Sequence, residues 1–360
     1  MLSLSVVSWT FLGAVFSAAV CAWLGWRLAA LLRRRVLAVL ILTVALVLST
    51  AGVASAVNRY FLYLPQMGDV VNLVDGERNW PAYPSLAARP AADVLAAHPT
   101  GVVVHLDVPD RGSGFGRSRA LVYLPPQYFS SPERRFPVVY LIHGSPGVPA
   151  DWLRGGGAGR AAAWLAATGR PMIVVVPRMS LGWLDDSECV DSPREKVETH
   201  LLTDVIPTVD SVLRTAPTRL ARAIGGMSAG GYCALNLGLR HRDLFGTLLV
   251  LSGMTAPSHA GGVSVLFGKG PDAAGRIRAN SPDLYAPGLA AAPTTRVWLD
   301  CGTSETTLMP ALRRMSVVLA SRGLETTMHV RPGGHTFHVW RPALAESLAW
   351  AAPVLLAAAR

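Results

Sequence analysis

Residues 224–231 read Ile-Gly-Gly-Met-Ser-Ala-Gly-Gly, and within them Gly226-Met227-Ser228-Ala229-Gly230 has the G-x-S-x-G spacing. A serine with glycine two residues away on each side can occupy a very sharp turn, its hydroxyl held out at the end of a strand. The flanks agree: Leu220–Ile224 is a short apolar run that reads as a strand, and Tyr232–Leu239 has the alanine and leucine content of a buried helix. A hydroxyl placed this way does acyl chemistry only when a base takes its proton. Nine histidines are available. His335, in Pro332-Gly333-Gly334-His335-Thr336-Phe337, follows the last expected strand and precedes a final helix, so it is the expected base. His338 falls inside that helix and reads as a packing or surface residue. His200, at the start of a long helix, reads as solvated.

The partner carboxylate should lie between serine and histidine in the chain, at the C-terminal end of a strand. Arg296-Val297-Trp298-Leu299-Asp300-Cys301-Gly302-Thr303-Ser304-Glu305 offers two. Glu305, in the loop past the strand, can reach the imidazole Nδ1 and fix its tautomer. Asp300, at the strand end, is the alternative. An oxyanion at the acyl carbon needs backbone N–H donors. Ala229, next after the serine, supplies one. The loop Leu141-Ile142-His143-Gly144-Ser145-Pro146-Gly147 supplies the other, with Ser145 the expected donor. His143 has no Asp, Glu or His partner at metal spacing and reads as structural. Neither a metal nor an organic cofactor is implied.

These residues need a scaffold, and the rest of the chain describes one. From residue 101 onward, apolar β-branched runs alternate with helical patterns. Gly101–Val108, Ala120–Leu124, Pro137–Ile142, Pro171–Val176, Phe245–Leu251, Arg296–Leu299 and Thr326–Val330 read as strands. Leu201–Leu213 reads as a helix, and Val317–Gly323 closes another. Near-continuous Val, Ile and Leu indicates strands buried on both faces, hence a mostly parallel, doubly wound α/β domain over 101–360. Residues 254–293, rich in Gly, Pro and Ser, interrupt the alternation and are expected to form a cap or loop beside the site. Residues 58–100 read as a linker or surface wrap.

At 51% hydrophobic and 16% charged residues, the 360-residue chain is too apolar for an ordinary soluble enzyme, with a mean hydropathy of +0.35. The excess lies in residues 4–26 and 36–57, which carry no charge and are each long enough to span a bilayer. Between them stand Arg27 and Arg33-Arg34-Arg35, a loop expected to stay cytoplasmic, which puts the large domain outside. The alternative is a cleaved signal ending near Ala56, in Ala54-Ser55-Ala56. Either way the domain is exported. The net charge of +10 includes the four arginines of that loop, which leaves +6 without a basic run or basic helix face, so no nucleic-acid partner is indicated. Of four cysteines, Cys21 lies in the first apolar span, Cys233 reads as a buried thiol, and Cys189 and Cys301 are the candidate pair.

Taken together, Val122-Tyr123-Leu124-Pro125-Pro126, Leu141-Ile142-His143-Gly144, Gly225–Gly231, Gly302-Thr303-Ser304-Glu305 and Gly334-His335-Thr336-Phe337-His338-Val339-Trp340 resemble the putative-esterase family of α/β-hydrolases. That family includes esterase D and the secreted mycobacterial mycolyltransferases. The resemblance implies the α/β-hydrolase fold and a serine hydrolase acting on a small-molecule or lipid ester. It also supports Glu305, which stands three residues after the glycine ending the strand. Gly230 and Phe337 depart from the mycolyltransferase pattern, which has a second serine and a tryptophan there, and this weakens mycolyl transfer to trehalose. Three functions are then in contention: an anchored extracytoplasmic serine esterase, a cell-envelope acyltransferase moving the acyl group to a sugar or lipid hydroxyl, and a non-catalytic hydrolase-fold scaffold. Protein partners are unknown.

Overall fold

The computed structural model describes residues 4–74, 96–182, 184–291 and 294–360, in two compact units divided after Ala82. The first unit is a helical hairpin. Helix α1 (Trp9–Leu31) is N-capped by Ser8, whose hydroxyl accepts from the Phe11 N–H, and α2 (Arg35–Phe61) ends at Leu62 in the left-handed conformation. Both are long and apolar enough to cross a membrane. Small residues let them approach: Gly52 receives the Phe16 ring, and Trp23 Nε1 donates to Ser49 Oγ at 3.1 Å. The turn between them carries Arg33 and Arg34, with Arg27 one turn back in α1.

Against the expected 4–26 and 36–57, α1 lies five residues further along the chain and α2 starts one residue earlier but runs four residues further. Asn58 and Arg59 extend α2 instead of ending it: Arg59 lies over the Trp9 ring at 4.0 Å, and the Asn58 side chain exchanges hydrogen bonds with Leu64 N–H and C=O. A short helix α3 (Met67–Val74) then falls inside the stretch expected to be an irregular linker. Most of that expected linker, 75–95, lies outside the described residues.

The second unit is built on an eight-stranded sheet: β1 (Val102–Val108), β2 (Ser118–Leu124), β3 (Val138–Ile142), β4 (Ile173–Val176), β5 (Arg222–Met227), β6 (Thr247–Leu251), β7 (Arg296–Gly302) and β8 (Glu325–Arg331). The spatial order is β1-β2-β4-β3-β5-β6-β7-β8. β2 runs antiparallel to both β1 and β4, and every other pair is parallel. Every residue of β3 to β6 is buried, in keeping with the Val-, Ile- and Leu-rich runs of β3, β4 and β6, while β5 is Arg-Ala-Ile-Gly-Gly-Met. The edges differ. β1 alternates buried Val102, Val104, Leu106 and Val108 with outward His105 and Asp107, and β8 is only half-buried.

Helices α4 (Ala158–Ala167), α5 (Ile206–Val212), α6 (Ala229–Arg240), α7 (Leu308–Ser321) and α8 (Phe337–Ala357) cover the sheet. α6 packs on β3, β5 and β6; α8 packs on α4 and on β5 to β7. The helix expected over 201–213 is helical but not uniform: His200–Val205 is a π-helix ahead of α5. Pro207 has no N–H for the Thr203 carbonyl and crowds it, which favours widening the preceding turn. Between β6 and β7 the expected interruption holds short helices at Ser264–Phe267, Ala273–Ala279 and Pro282–Tyr285. It is tied to α6 by Tyr232, whose hydroxyl donates to Asn280 O at 2.5 Å.

Candidate active site

Ser228 joins β5 to α6 with φ 56° and ψ −123°, outside the regions an L-residue favours. Such a conformation costs about 1–3 kcal/mol and persists only where its surroundings enforce it. Two crossings enforce it here. A Cβ on Gly226 would stand 2.0 Å from Gly230 O, and one on Gly230 would stand 2.2 Å from Ile142 O. The Ser228 N–H is fixed on Leu251 O at 3.0 Å. The hydroxyl therefore projects at the C-terminal edge of the parallel strands, at the N-terminus of α6.

His335 lies on the loop between β8 and α8. Its Nε2 is 2.7 Å from Ser228 Oγ and its Nδ1 is 2.6 Å from Glu305 Oε1. The histidine side chain is 44% exposed and that of Glu305 only 5%. The imidazole thus faces solvent while the carboxylate bonded to it is enclosed. Glu305 Oε2 accepts from Ser252 Oγ at 2.8 Å and Gly302 N–H at 2.5 Å. Burial alone would raise this carboxyl, but hydrogen bonds from His335, Gly302 and Ser252 hold it below its ordinary range. It stays ionised at neutral pH, so Nδ1 keeps its proton and Nε2 is free to accept one from serine.

Asp300, the alternative acid, is fully buried and turned elsewhere. Arg331 Nε and Nη2 grip it at 2.6–3.0 Å, and the same guanidinium reaches Glu346 on α8 at 3.0 Å. Within the strand, Asp300 stands opposite His329 of β8 and Arg331, two residues on and opposite Gly302, reaches back to it, while the loop beyond Gly302 brings Glu305 round to the imidazole.

Ser145 follows Gly144, whose Cβ position would lie 3.4 Å from Ser228 Cβ, so this loop borders the serine. The Ser145–Pro146 peptide is cis, and Ser145 Oγ donates to Asp185 O at 3.2 Å, which leaves its side chain tied back into the loop after β4. His143 is enclosed: Nδ1 bonds Gly144 O at 2.9 Å, and Met179 N–H donates to Nε2 at 3.4 Å. Burial pushes its pKa down to about 4, so it is a neutral strut. His338 is exposed on α8.

Two expectations need correction. His200 is not solvated but completely buried, with Nδ1 2.7 Å from Asp204 Oδ2, Nε2 3.0 Å from Ser118 Oγ, and its ring stacked on Phe115. The partner one helical turn on makes burial tolerable. Cys189 pairs with Cys233, not Cys301, which is a free buried thiol. The loop after β4 passes over α6, so Cys189 meets Cys233 on that helix, whereas Cys301 sits inside β7.

Two further residues complete the site without having been read from the sequence. Ser252, immediately after β6, passes its hydroxyl to Glu305 and accepts from Trp340 Nε1 at 2.9 Å. The Trp340 ring meets His335 edge-on at 4.8 Å between centroids. A polar residue just past a buried strand at the active edge was the available signal for Ser252.

Known proteins resemble this chain in sequence and fold. A family model described as putative esterase matches residues 115–351. An uncharacterized protein of Corynebacterium glutamicum is 28% identical over 333 residues, which is 89% of this chain and 76% of that protein. Esterase Rv1288 of Mycobacterium tuberculosis is 25% identical over 252 residues, 60% of this chain and 52% of its own, so the chain spans about half of that relative. Among solved structures, a ferulic acid esterase superposes with a TM-score of 0.61 at 24% identity, over 71% of this chain and 98% of that one. With a family match across most of the α/β unit, the chain belongs to the putative-esterase family of α/β-hydrolases, and its class is that of a serine-type carboxylic ester hydrolase.

Proposed function

We propose that this protein is a membrane-anchored esterase whose catalytic unit works outside the cytoplasm, with Ser228 as nucleophile, His335 as base and Glu305 as the orienting acid. The unbroken Ser228–His335–Glu305 hydrogen-bond chain on a strained serine carries the reading. Ser228 Oγ attacks the ester carbonyl as its proton passes to His335 Nε2. The tetrahedral oxyanion is held by the Ala229 and Ser145 N–H groups, aided by the positive end of the α6 dipole. His335 then gives its proton to the leaving alcohol. Water, deprotonated by the same imidazole, attacks the acyl-enzyme and releases the acid.

The solvent exposure of His335 supports water as acceptor over a sugar or lipid hydroxyl, because a transferase must keep water from the acyl-enzyme. The complete set of side chains speaks against a non-catalytic scaffold. The Cys189–Cys233 disulfide and the arginines of the α1–α2 turn support an extracytoplasmic catalytic unit. Ser228→Ala should lower kcat on a p-nitrophenyl ester by about 10⁴–10⁶ with folding intact; retention of full turnover refutes the assignment. Alkaline phosphatase fused just beyond α2 should be active, and an inactive fusion refutes the orientation.

A further inference from the structure

Leu251 ends β6, and the next residue, Ser252, has φ 50°, a left-handed conformation that costs an L-residue free energy and that glycine adopts freely. A glycine stands one place on, yet the positive φ falls on the serine. The backbone is fixed here from two sides. Ser252 N–H donates to Asp300 O at 2.7 Å, and a Cβ on Gly253 would stand 2.4 Å from the carbonyl carbon of Gly231 on α6. A serine kept where glycine would sit more easily points to a role for its side chain. That side chain is completely buried, with its hydroxyl between Trp340 and Glu305. An indole N–H can only donate. Trp340 Nε1 stands 2.9 Å from Ser252 Oγ, so it takes a lone pair of that oxygen, and the single hydroxyl proton turns to Glu305 Oε2 at 2.8 Å. Gly302 N–H gives Oε2 a second donor at 2.5 Å, and His335 Nδ1 gives Oε1 one at 2.6 Å. A proton placed on either carboxylate oxygen would therefore meet a donor.

We propose that Ser252 and Trp340 are positioning residues for ester hydrolysis: the indole fixes the direction of the serine hydroxyl, and the hydroxyl holds the Glu305 carboxylate, acceptor-only at both oxygens, against His335 Nδ1. The inference rests on the serine-esterase reading. Without the indole N–H, the hydroxyl is free to turn and accept, and a Glu305 protonated on Oε2 gains a partner. Such a neutral acid gives the imidazolium formed during serine attack no counter-charge. The brace also ties together three separate parts of the scaffold: the residue after β6, the loop after β7 and the first turn of α8. The Trp340 ring meets His335 edge-on as well. Trp340→Phe keeps a ring at that place and removes only the donor, so the hydrogen bond can be tested apart from the ring contact.

The test uses the full-length protein in detergent micelles, with isotope-labelled tryptophan so that NMR shows the Trp340 indole N–H, identified by its absence in Trp340→Phe. Kinetics on p-nitrophenyl acetate accompany it, with thermal unfolding confirming that each variant is folded. Ser252→Gly removes the hydroxyl and leaves a residue at ease with the local φ. It should lower kcat about ten- to a hundredfold, the range for one hydrogen bond to a charged group, with little change in KM. Trp340→Phe should lower kcat in the same direction. Added to Ser252→Gly it should lower kcat no further, because it acts through the lost hydroxyl. The Trp340 resonance should move in Ser252→Gly and, through Ser252, in Glu305→Gln. Additive kcat losses in the double variant, or an unchanged kcat in Ser252→Gly, overturn the inference. So does an indole resonance that responds to neither substitution. A wild type that turns over no ester sinks the esterase reading instead, and the indole resonance, which needs no turnover, then decides the brace on its own.

Discussion

Replacing Glu305 by glutamine keeps the side chain's shape and removes its charge, and the surrounding donors turn this into a forced choice. Oε1 receives the His335 Nδ1 proton at 2.6 Å, while Oε2 accepts from both Ser252 Oγ and Gly302 N–H. If the glutamine oxygen faces His335, its NH₂ group points at the Gly302 N–H, donor against donor. If it flips, the NH₂ faces Nδ1, which must then give up its proton and move it to Nε2, where it can no longer accept from Ser228. The imidazolium formed during attack also loses its counter-charge. A change of this kind in a Ser-His-Asp site costs about 10⁴ in kcat, or about 5.4 kcal/mol at 1.36 kcal/mol per tenfold. Hydrolysis of p-nitrophenyl acetate, with kcat and KM separated, measures it; KM should change little. The stability profile gives a second readout. The folded Glu305 carboxyl is held below its unfolded value, so its contribution is present above about pH 4.3 and is lost as pH falls through the lower folded value. Between those two values the wild type should weaken more steeply with acidification than Glu305→Gln. A variant retaining activity within tenfold of wild type refutes the role given to Glu305.

Asp300→Asn is the contrasting case: it leaves the Arg331 guanidinium without its main partner, so stability should fall by about 3–5 kcal/mol, while kcat of the folded fraction stays within tenfold. Chemical denaturation paired with active-site titration separates the two effects, and a kcat loss as large as that of Glu305→Gln contradicts the assignment. Breaking the Cys189–Cys233 bridge, whose ends are 44 residues apart, should cost about 4 kcal/mol on the loop-entropy relation. Cys189→Ser should therefore melt well below wild type under oxidising conditions and match it under full reduction. Unchanged Tm in both conditions contradicts the pairing.

Strands β3, β4 and β6 were legible because each is buried on both faces and is written mostly in Val, Ile and Leu, whereas β5, Arg-Ala-Ile-Gly-Gly-Met, was placed by the serine turn that follows it. The serine turn was legible because its glycine spacing is local, a Cβ on Gly226 meeting Gly230, although Gly230 itself is held small by the distant Ile142 carbonyl. His335 and Glu305 could be placed because both follow strand ends. What stayed hidden depends on chain paths distant in sequence. The disulfide partner of Cys189 is decided by where the loop after β4 crosses α6, and no spacing rule encodes that. His200 looked solvated because its acid, Asp204, is one turn on and its hydroxyl partner, Ser118, comes from β2. Ser252 and Trp340 support Glu305 through a contact across 88 residues. The end of α2 was missed because Asn58 and Arg59 look like a polar stop, yet both are satisfied within the hairpin.

The most direct test of the account is reaction of the purified full-length protein with a fluorophosphonate probe, followed by peptide mass spectrometry. The account predicts one label, on Ser228, that is absent in Ser228→Ala and slowed by several orders of magnitude in His335→Ala. A folded protein that takes no label, or takes it on another residue, contradicts the claim that Ser228 is an activated nucleophile.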